Sequence, residues 1–353
     1  MKQRRKNEIP APDASALRAH LLAWYDAHAR DLPWRERPGN GKHRDPYRVW
    51  VSEIMLQQTR VAAVIEHYHE FLRRFPTVEK LAAAREASVL AAWSGLGYYR
   101  RARMLHAAAK VVVRERGGKF PDTAEAWRDL PGIGRYTAAA IASIAFGEAV
   151  AVVDGNVERV LQRFSGQRLT GEEVWRLADD LLDRARPGDF NQAMMELGAT
   201  VCTPRAPACL MCPVVELCAT RGELAGKSKP ARQKRREIHY ALNYRPNGRS
   251  KKVFLVQRSK SATLMAGMWE LPEVSRPQDH EKDHEKPAFT VKHSITVTDY
   301  TVRVWLNPSD RIDGQWFPMY RLRKLALTGL ARKILRKAEL LGKSKSYTSR
   351  VMV

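Results

Sequence analysis

A mainly α N-terminal region followed by a smaller α+β domain is the fold class that the sequence predicts, on three observations. From Ser15 to about Cys218, apolar residues recur at three- and four-residue spacing among alanine, leucine and arginine, with little β-branched alternation. At "GKSKPARQKRRE" (226–237) the texture changes: six of these residues are Lys or Arg and almost none is apolar, which reads as an exposed linker. Beyond it, "KKVFLVQR" and "HSITVTDYTVRVWL" alternate polar and apolar positions as strands do. A length of 353 residues favours two domains over a single core.

Within the helical region, "LAAAREASVLAAW" and "RARMLHAAAKVVVRER" carry the clearest helical pattern. Gly117-Gly118 is a stop signal, and Asp122-Thr123 starts the helix that carries Trp127. In the second domain, "LALTGLARKILRKAELL" predicts a closing helix. The tandem "DHEKDHEK" (279–286) reads as a polar loop insertion in preference to a histidine metal site.

Lys and Arg number 61 against 38 Asp and Glu, a net charge of +23 that favours capture of polyanions. Nucleic acid is the first partner to consider and an anionic membrane surface the second, with a merely solvated basic surface as the plain alternative. The longest apolar stretch, 138–153, is broken by Ser143, Gly147 and Glu148 and is too short to span a bilayer. The basic N-terminus "MKQRRKNEIPAPDAS" has no apolar core after it and does not read as a signal peptide. These features lead to the expectation of a soluble, cytoplasmic protein, nucleoid-associated if bacterial, with no membrane partner.

Cys202, Cys209, Cys212 and Cys218 make up all the cysteines and are spaced C-x6-C-x2-C-x5-C. Disulfides between such close neighbours would close small, strained loops, so a four-thiolate metal site is the better reading. Zinc usually takes two short C-x2-C hooks, and only one is present; the longer arms suit an iron–sulfur cube. "LPGIGRYTA" (130–138) places Gly132 and Gly134 between two helical patterns. Glycines there let backbone N–H groups approach a phosphate, although an ordinary glycine-capped turn has the same form.

The cysteine spacing and "LPGIGRYTA" together resemble the helix-hairpin-helix DNA glycosylases of the endonuclease III type. The resemblance extends from about Ser15 to about Leu341. It implies a 4Fe–4S cluster on the four cysteines and a phosphate grip at Gly132, Gly134 and Arg135. "VVDGNVERVLQRF" (152–164) resembles the segment that carries the family's catalytic aspartate, which maps onto Asp154, with Asn156 beside it. Such a carboxylate stabilises the oxocarbenium-like state of N-glycosidic cleavage.

Three further segments are similar to the adenine-glycosylase (MutY-type) branch of that family. "VWVSEIMLQQTRV" (49–61) makes Glu53 the general acid, with Leu56 at the adenine pocket and Gln58 at the disrupted base pair. "ARDLPWR" (29–35) places Arg30, Trp34 and Arg35 around an extruded adenine. "GLGYYRR" (95–101) makes Tyr98 a wedge into the duplex, and Glu196 falls where the branch contacts adenine or supports the acid. Bifunctional members carry a Schiff-base lysine at the position of Tyr136. Tyrosine forms no Schiff base, which implies base removal with little or no strand cleavage; the resemblance gives Tyr136 instead a hydrogen bond to Asp154 or protection of the sugar cation.

"RSKSATLMAGMWELP" (258–272) and "RLRKLALTGLARKIL" resemble the two ends of a MutT/Nudix-like domain. No run of glutamates follows Pro272 to hold Mg²⁺, so the resemblance implies lesion recognition without hydrolysis. The family's recognition triplet aligns with Ile295-Thr296-Val297, leaving His293, Ser294 and Thr296 as candidate contacts to 8-oxoguanine. The expected organisation is a glycosylase region over 11–225, followed by the linker and a MutT/Nudix-like domain over 238–343. Within the glycosylase region, a six-helix barrel covers 46–149, and 11–45 joins 150–225 in an iron–sulfur domain. The expected partner is duplex DNA carrying A·8-oxoguanine or A·G mispairs, bound by a monomer. Rival readings are a related glycosylase acting on G·T pairs, a non-catalytic redox-active DNA-binding protein, and a true Nudix hydrolase fused to a DNA tether.

Overall fold

Helices fill the chain from Ala14 to Thr200 and strands take over from Lys234, in the order that the hydrophobic spacing predicts. The computed structural model describes residues 13–35, 44–224, 234–247, 250–262, 264–275, 286–295, 298–307 and 313–342. Most of "DHEKDHEK" and most of the expected linker therefore lie outside the described residues, as does Thr296. Among the described residues no helix is long and apolar enough to cross a membrane.

The chain divides into two compact units, 1–57 with 108–227, and 58–107 with 228–353. In the first unit, α1 (Ala14–His28) packs Leu17, Leu21 and Tyr25 against α9 (Gly155–Ser165), α10 (Gly171–Leu181) and α11 (Pro187–Thr200). α2 (Pro46–Leu56) begins with Asp45 capping the amides of Tyr47 and Arg48, and with a proline at its first turn. Every residue from Val49 to Met55 on α2 is buried, so it has no solvent face. Its anchor is an aromatic cluster in which Trp50 meets Trp127 at 5.5 Å and Phe120 at 6.1 Å. Trp127 lies on α7 (Ala124–Arg128), capped by the expected Thr123, and α8 (Arg135–Ile141) packs against both helices.

In the second unit the helical pattern of "LAAAREASVLAAW" is divided between two helices, α4 (Val78–Ala82) and α5 (Glu86–Ala92), with an extended Arg85 between them. The reason is geometric. Leu81 and Leu90 are nine residues apart and would face opposite ways on one helix, yet both are buried. α3 (Val61–Arg74) completes this helical part, and α6 (Arg100–Arg116) begins within it.

The strands form two sheets. One has the order β5-β1-β7-β6: β1 (Lys234–Leu242) runs parallel to β7 (Thr298–Leu306), and β5 (Glu273–Val274) and β6 (Phe289–Ile295) are antiparallel neighbours. In the other, β3 (Ser250–Gln257) pairs with β2 (Tyr244–Asn247), β4 (Trp269–Glu270) and β8 (Gln315–Pro318). α12 (Met319–Leu322) and α13 (Gly329–Lys337) follow β8, and Leu330, Ile334 and Leu335 of α13 enter the sheet core.

Two expected boundaries change. Lys234 to Glu237, assigned to the linker, are strand: their backbone pairs with Thr298 to Thr301 while the side chains stay exposed. Residues 58–107, expected with the barrel, group instead with the sheet domain. Ser94 Oγ and the Tyr99 hydroxyl both donate to the Leu327 carbonyl at 3.0 Å, and Arg103 donates to the Ala266 carbonyl.

The Trp127 ring is fully buried, and its Nε1 finds no hydrogen-bond partner among the described residues. Trp127→Ala is expected to cost about 3–5 kcal/mol, and Trp127→Phe less than about 1.5 kcal/mol because it keeps a ring and removes an orphaned donor. Urea unfolding of the two variants checks the difference; equal losses would contradict this account of the cluster.

Candidate active site

Glu53 sits in the middle of the apolar α2, only 6% exposed. A carboxylate there has lost most of its hydration, and burial pushes its pKa up to about 7. The Tyr136 hydroxyl, from the first turn of α8, donates to Glu53 Oε2 at 2.7 Å, in place of the expected Asp154, and pulls the other way. The Asp154 carboxylate adds to the rise, and the Arg35 guanidinium opposes it. The Tyr136 phenol is itself held firmly protonated, by burial first and then by the Glu53 and Asp154 carboxylates.

Asp154 caps α9. Its Oδ1 accepts from the amides of Asn156 at 2.9 Å and Val157 at 2.8 Å, and its Oδ2 accepts from the Asn156 side-chain amide at 3.0 Å. Asn156 is fixed in turn by Arg159, which donates to its Oδ1 at 2.8 Å, to the Gly198 carbonyl at 2.7 Å and to the Cys202 carbonyl at 2.9 Å. Gly198 is needed at this approach of α11 to α9, because a Cβ there would come within 2.7 Å of Asn156 Cβ.

Glu196, on α11 and 1% exposed, receives Arg30 Nε at 2.6 Å, Arg30 Nη2 at 2.8 Å and Arg35 Nη2 at 2.8 Å. Burial alone would raise its pKa, but the two guanidinium groups outweigh burial and hold it below the usual carboxylate range. Both its oxygens are occupied, so Glu196 acts as the clamp that sets Arg30 and Arg35. Trp34 is buried in the same segment, and Leu56 is half-buried one turn beyond Glu53.

The glycine turn is exposed. Gly132 is left-handed at φ +78°, and Gly134 caps α8. Arg135 pairs with Glu172 at 2.8 Å and lies 3.9 Å over the Trp175 ring. Gln58 and Tyr98 belong to the other unit, and both are non-glycine residues in left-handed backbone, at φ +53° and +43°. Strained positions of this kind persist where the surroundings over-determine them. For Tyr98 that brace is Arg101, which donates to the Leu96 and Gly97 carbonyls and lies over the Trp93 and Tyr98 rings. Burial brings the Arg101 pKa down to about 10.

None of the four cysteines is in a disulfide, and all four line one cavity, with Arg163 and Arg221 at its wall. Among the described residues no three His, Cys, Asp or Glu side chains are grouped as a single metal ion would require. An all-thiol set spread around a cavity fits a larger, thiolate-bound group. Burial raises the Cys212 thiol to about 11. Arg163 secures the loop by donating to the Cys202 Sγ and carbonyl at 3.3 Å and to the Thr203 carbonyl at 2.7 Å. In the strand domain, His293 and Ser294 lie on β6. The Ser294 hydroxyl donates to Asp299 at 2.6 Å, and burial, then Lys333, lowers the His293 pKa.

The structure thus joins Glu53, Tyr136, Asp154 and Asn156 in one cluster and Arg30, Arg35 and Glu196 in a second. Sequence reasoning missed Arg101, Arg159, Arg163 and Met195, whose Sδ lies 3.6 Å from the Tyr136 hydroxyl. Arg159 and Arg163 had a readable signal, one turn apart on α9 and just after Asn156.

Residues 51–183 match the family model described as "HhH-GPD superfamily base excision DNA repair protein". The chain is similar to the adenine DNA glycosylase of Homo sapiens, with 43% identity over 318 residues, 74% of this chain and 58% of that protein. It is 44% identical over 223 residues to the adenine DNA glycosylase of Mycobacterium tuberculosis (strain H37Rv), covering 60% of this chain and 71% of that one. Among solved structures it is similar to a thermostable thymine-DNA glycosylase, at 31% identity and a TM-score of 0.54, over 59% of this chain and 96% of that one. The chain spans less than two thirds of the length of its mammalian and plant relatives.

The raised Glu53 pKa has a cost in stability. The folded state binds the Glu53 proton up to about pH 7 and the unfolded state only up to about 4.5, so this contribution is lost as pH rises between those values. Glu53→Gln is therefore expected to be more stable than the wild type at pH 8, by on the order of 2 kcal/mol, with the gain absent at pH 4. Thermal or urea unfolding at the two pH values checks this; a variant no more stable at pH 8 contradicts it.

Proposed function

The chain belongs to the adenine DNA glycosylases of the helix-hairpin-helix base excision repair superfamily, and on that premise we propose that it hydrolyses the N-glycosidic bond of adenine mispaired with 8-oxoguanine or guanine in duplex DNA. The observation that carries this reading is the buried Glu53, protonated near neutral pH and bonded to Tyr136 beside the cap of α9. Adenine leaves a sugar poorly as an anion, and protonating the base makes it a neutral leaving group. Glu53 supplies that proton. Asp154, fixed as a carboxylate acceptor by two backbone amides and Asn156, stabilises the cationic sugar that develops as the bond breaks. Water completes the reaction on the sugar. Tyr136 carries no amine, so no Schiff base forms and the strand stays intact.

Arg30, Trp34, Arg35 and Leu56 line the site for the extruded adenine, with Glu196 holding the two arginines in place. Gly132, Gly134 and Arg135 grip a phosphate, and Gln58 and Tyr98 enter the duplex at the opened pair. The C-terminal sheet domain is MutT/Nudix-like and recognises the lesion through His293, Ser294 and Thr296. The four cysteines would hold a 4Fe–4S cluster, supported by their spacing and by the fact that all four line one cavity. When bound, that cluster cross-links the loop and can carry an electron.

Single-turnover release of adenine from a duplex with one A·8-oxoguanine pair tests the proposal, beside A·G, G·T and A·T duplexes. Adenine release from the first two, with strand scission only after hot alkali, is expected, as is a loss of at least about 100-fold in Glu53→Gln and in Asp154→Asn. Release of thymine from G·T alone, or of nothing, overturns it. Because the acid is the protonated form, the rate should hold below pH 7 and fall about tenfold per unit above it. Anaerobically purified protein should be brown and contain iron and sulfide in equal amounts, with both lost in Cys202→Ala; a colourless zinc protein would contradict the cluster.

A further inference from the structure

The Tyr136 hydroxyl has one proton and two acceptors, Glu53 Oε2 at 2.7 Å and Met195 Sδ at 3.6 Å. While Glu53 is ionised, the shorter, charge-assisted bond takes the proton. Once Glu53 carries a proton on Oε2, that oxygen becomes a donor toward the phenol oxygen. The phenol proton must then turn elsewhere, and the thioether on α11 is placed to receive it. We propose that Met195 is a positioning residue for the acid: its sulfur accepts the Tyr136 hydroxyl when the Glu53 proton sits on Oε2, and so sets the pH at which the acid is armed.

The inference rests on the proposed function only for its kinetic readout. The rearrangement balances, since one proton arrives on Glu53 from solvent and the phenol proton changes direction while staying on its oxygen. The charged groups that face the pair are few. Asp154 at the cap of α9 favours protonated Glu53, and Arg35 from the segment after α1 opposes it. Glu196, beside Met195 on α11, is saturated by Arg30 and Arg35. A sulfur acceptor suits this place because it is polarisable enough to receive a hydroxyl yet too weak to draw it from the carboxylate.

Met195→Leu keeps the volume and removes the acceptor. The test measures second-order rate constants for adenine release against pH, together with the infrared carbonyl band of protonated Glu53, assigned by its loss in Glu53→Gln. The Leu variant is expected to lower both inflections by about half a unit, so that its ratio of alkaline to acid rates drops about threefold. Met195→Gln returns an acceptor oxygen and should bring the inflection back to or above the wild-type position; it decides the matter by itself if the Leu variant does not fold. In a Tyr136→Phe background, Met195→Leu should shift nothing, because no hydroxyl remains to reorient. Unmoved inflections in Met195→Leu and Met195→Gln, or equal shifts with and without the hydroxyl, overturn the inference. A wild type that releases no adenine overturns the proposed function, while the infrared titration still decides the role of Met195.

Discussion

One carboxyl group buried in the middle of an otherwise apolar helix is the constraint on which the rest of the first unit depends. Glu53 has no solvent face to turn to, because its neighbours on α2 are buried on every side. A carboxylate in that place would cost several kcal/mol if it stayed ionised and unpartnered, so the group holds its proton to about pH 7 instead. The surrounding elements are arranged around that outcome. Trp50 and its aromatic cluster pin α2 from below, and Tyr136 reaches across from α8 with a hydroxyl that stays protonated.

The remaining polar groups are buried in a different way. Glu196 remains ionised because two guanidinium groups complete its hydrogen bonds, and Asp154 is met by backbone amides and Asn156. Glu196, met by two guanidinium groups, is held below the usual carboxylate range, while Glu53, met by one hydroxyl, is raised to about 7. α9 carries the geometry outward: Asp154 stands at its cap, and Arg159 and Arg163 on its next turns hold the cysteine loop through the Cys202 carbonyl.

Much of this was legible in the sequence, and for physical reasons. The cysteine spacing and the Gly-x-Gly turn are short-range patterns whose geometry is set by a few adjacent residues, whereas Asp-Gly-Asn reads locally as a turn and only the family resemblance pointed to Asp154. The strands β3, β6 and β7 announced themselves by alternation. What escaped depends on distant partners. Lys234 to Glu237 look like linker because a strand whose side chains all face solvent shows no apolar alternation; only its pairing with β7 reveals it. Arg159 and Arg163 resemble solvated helix arginines until α11 and the cysteine loop are folded against them. Met195 reads as ordinary core, and its sulfur gains a role only because Tyr136 arrives from a different helix. The break at Arg85 was hidden because alanine-rich sequence favours helix on both sides of it, and the tertiary demand to bury Leu81 and Leu90 decides the matter.

The central claim is that burial makes Glu53 a proton donor near neutral pH. Carboxyl ¹³C NMR titration of the protein labelled at glutamate, with the resonance assigned by Glu53→Gln, measures this directly. An inflection near pH 7 is the predicted result. An inflection at the ordinary glutamate value of about 4.5 would mean that Glu53 is ionised throughout the working range, and would contradict the account.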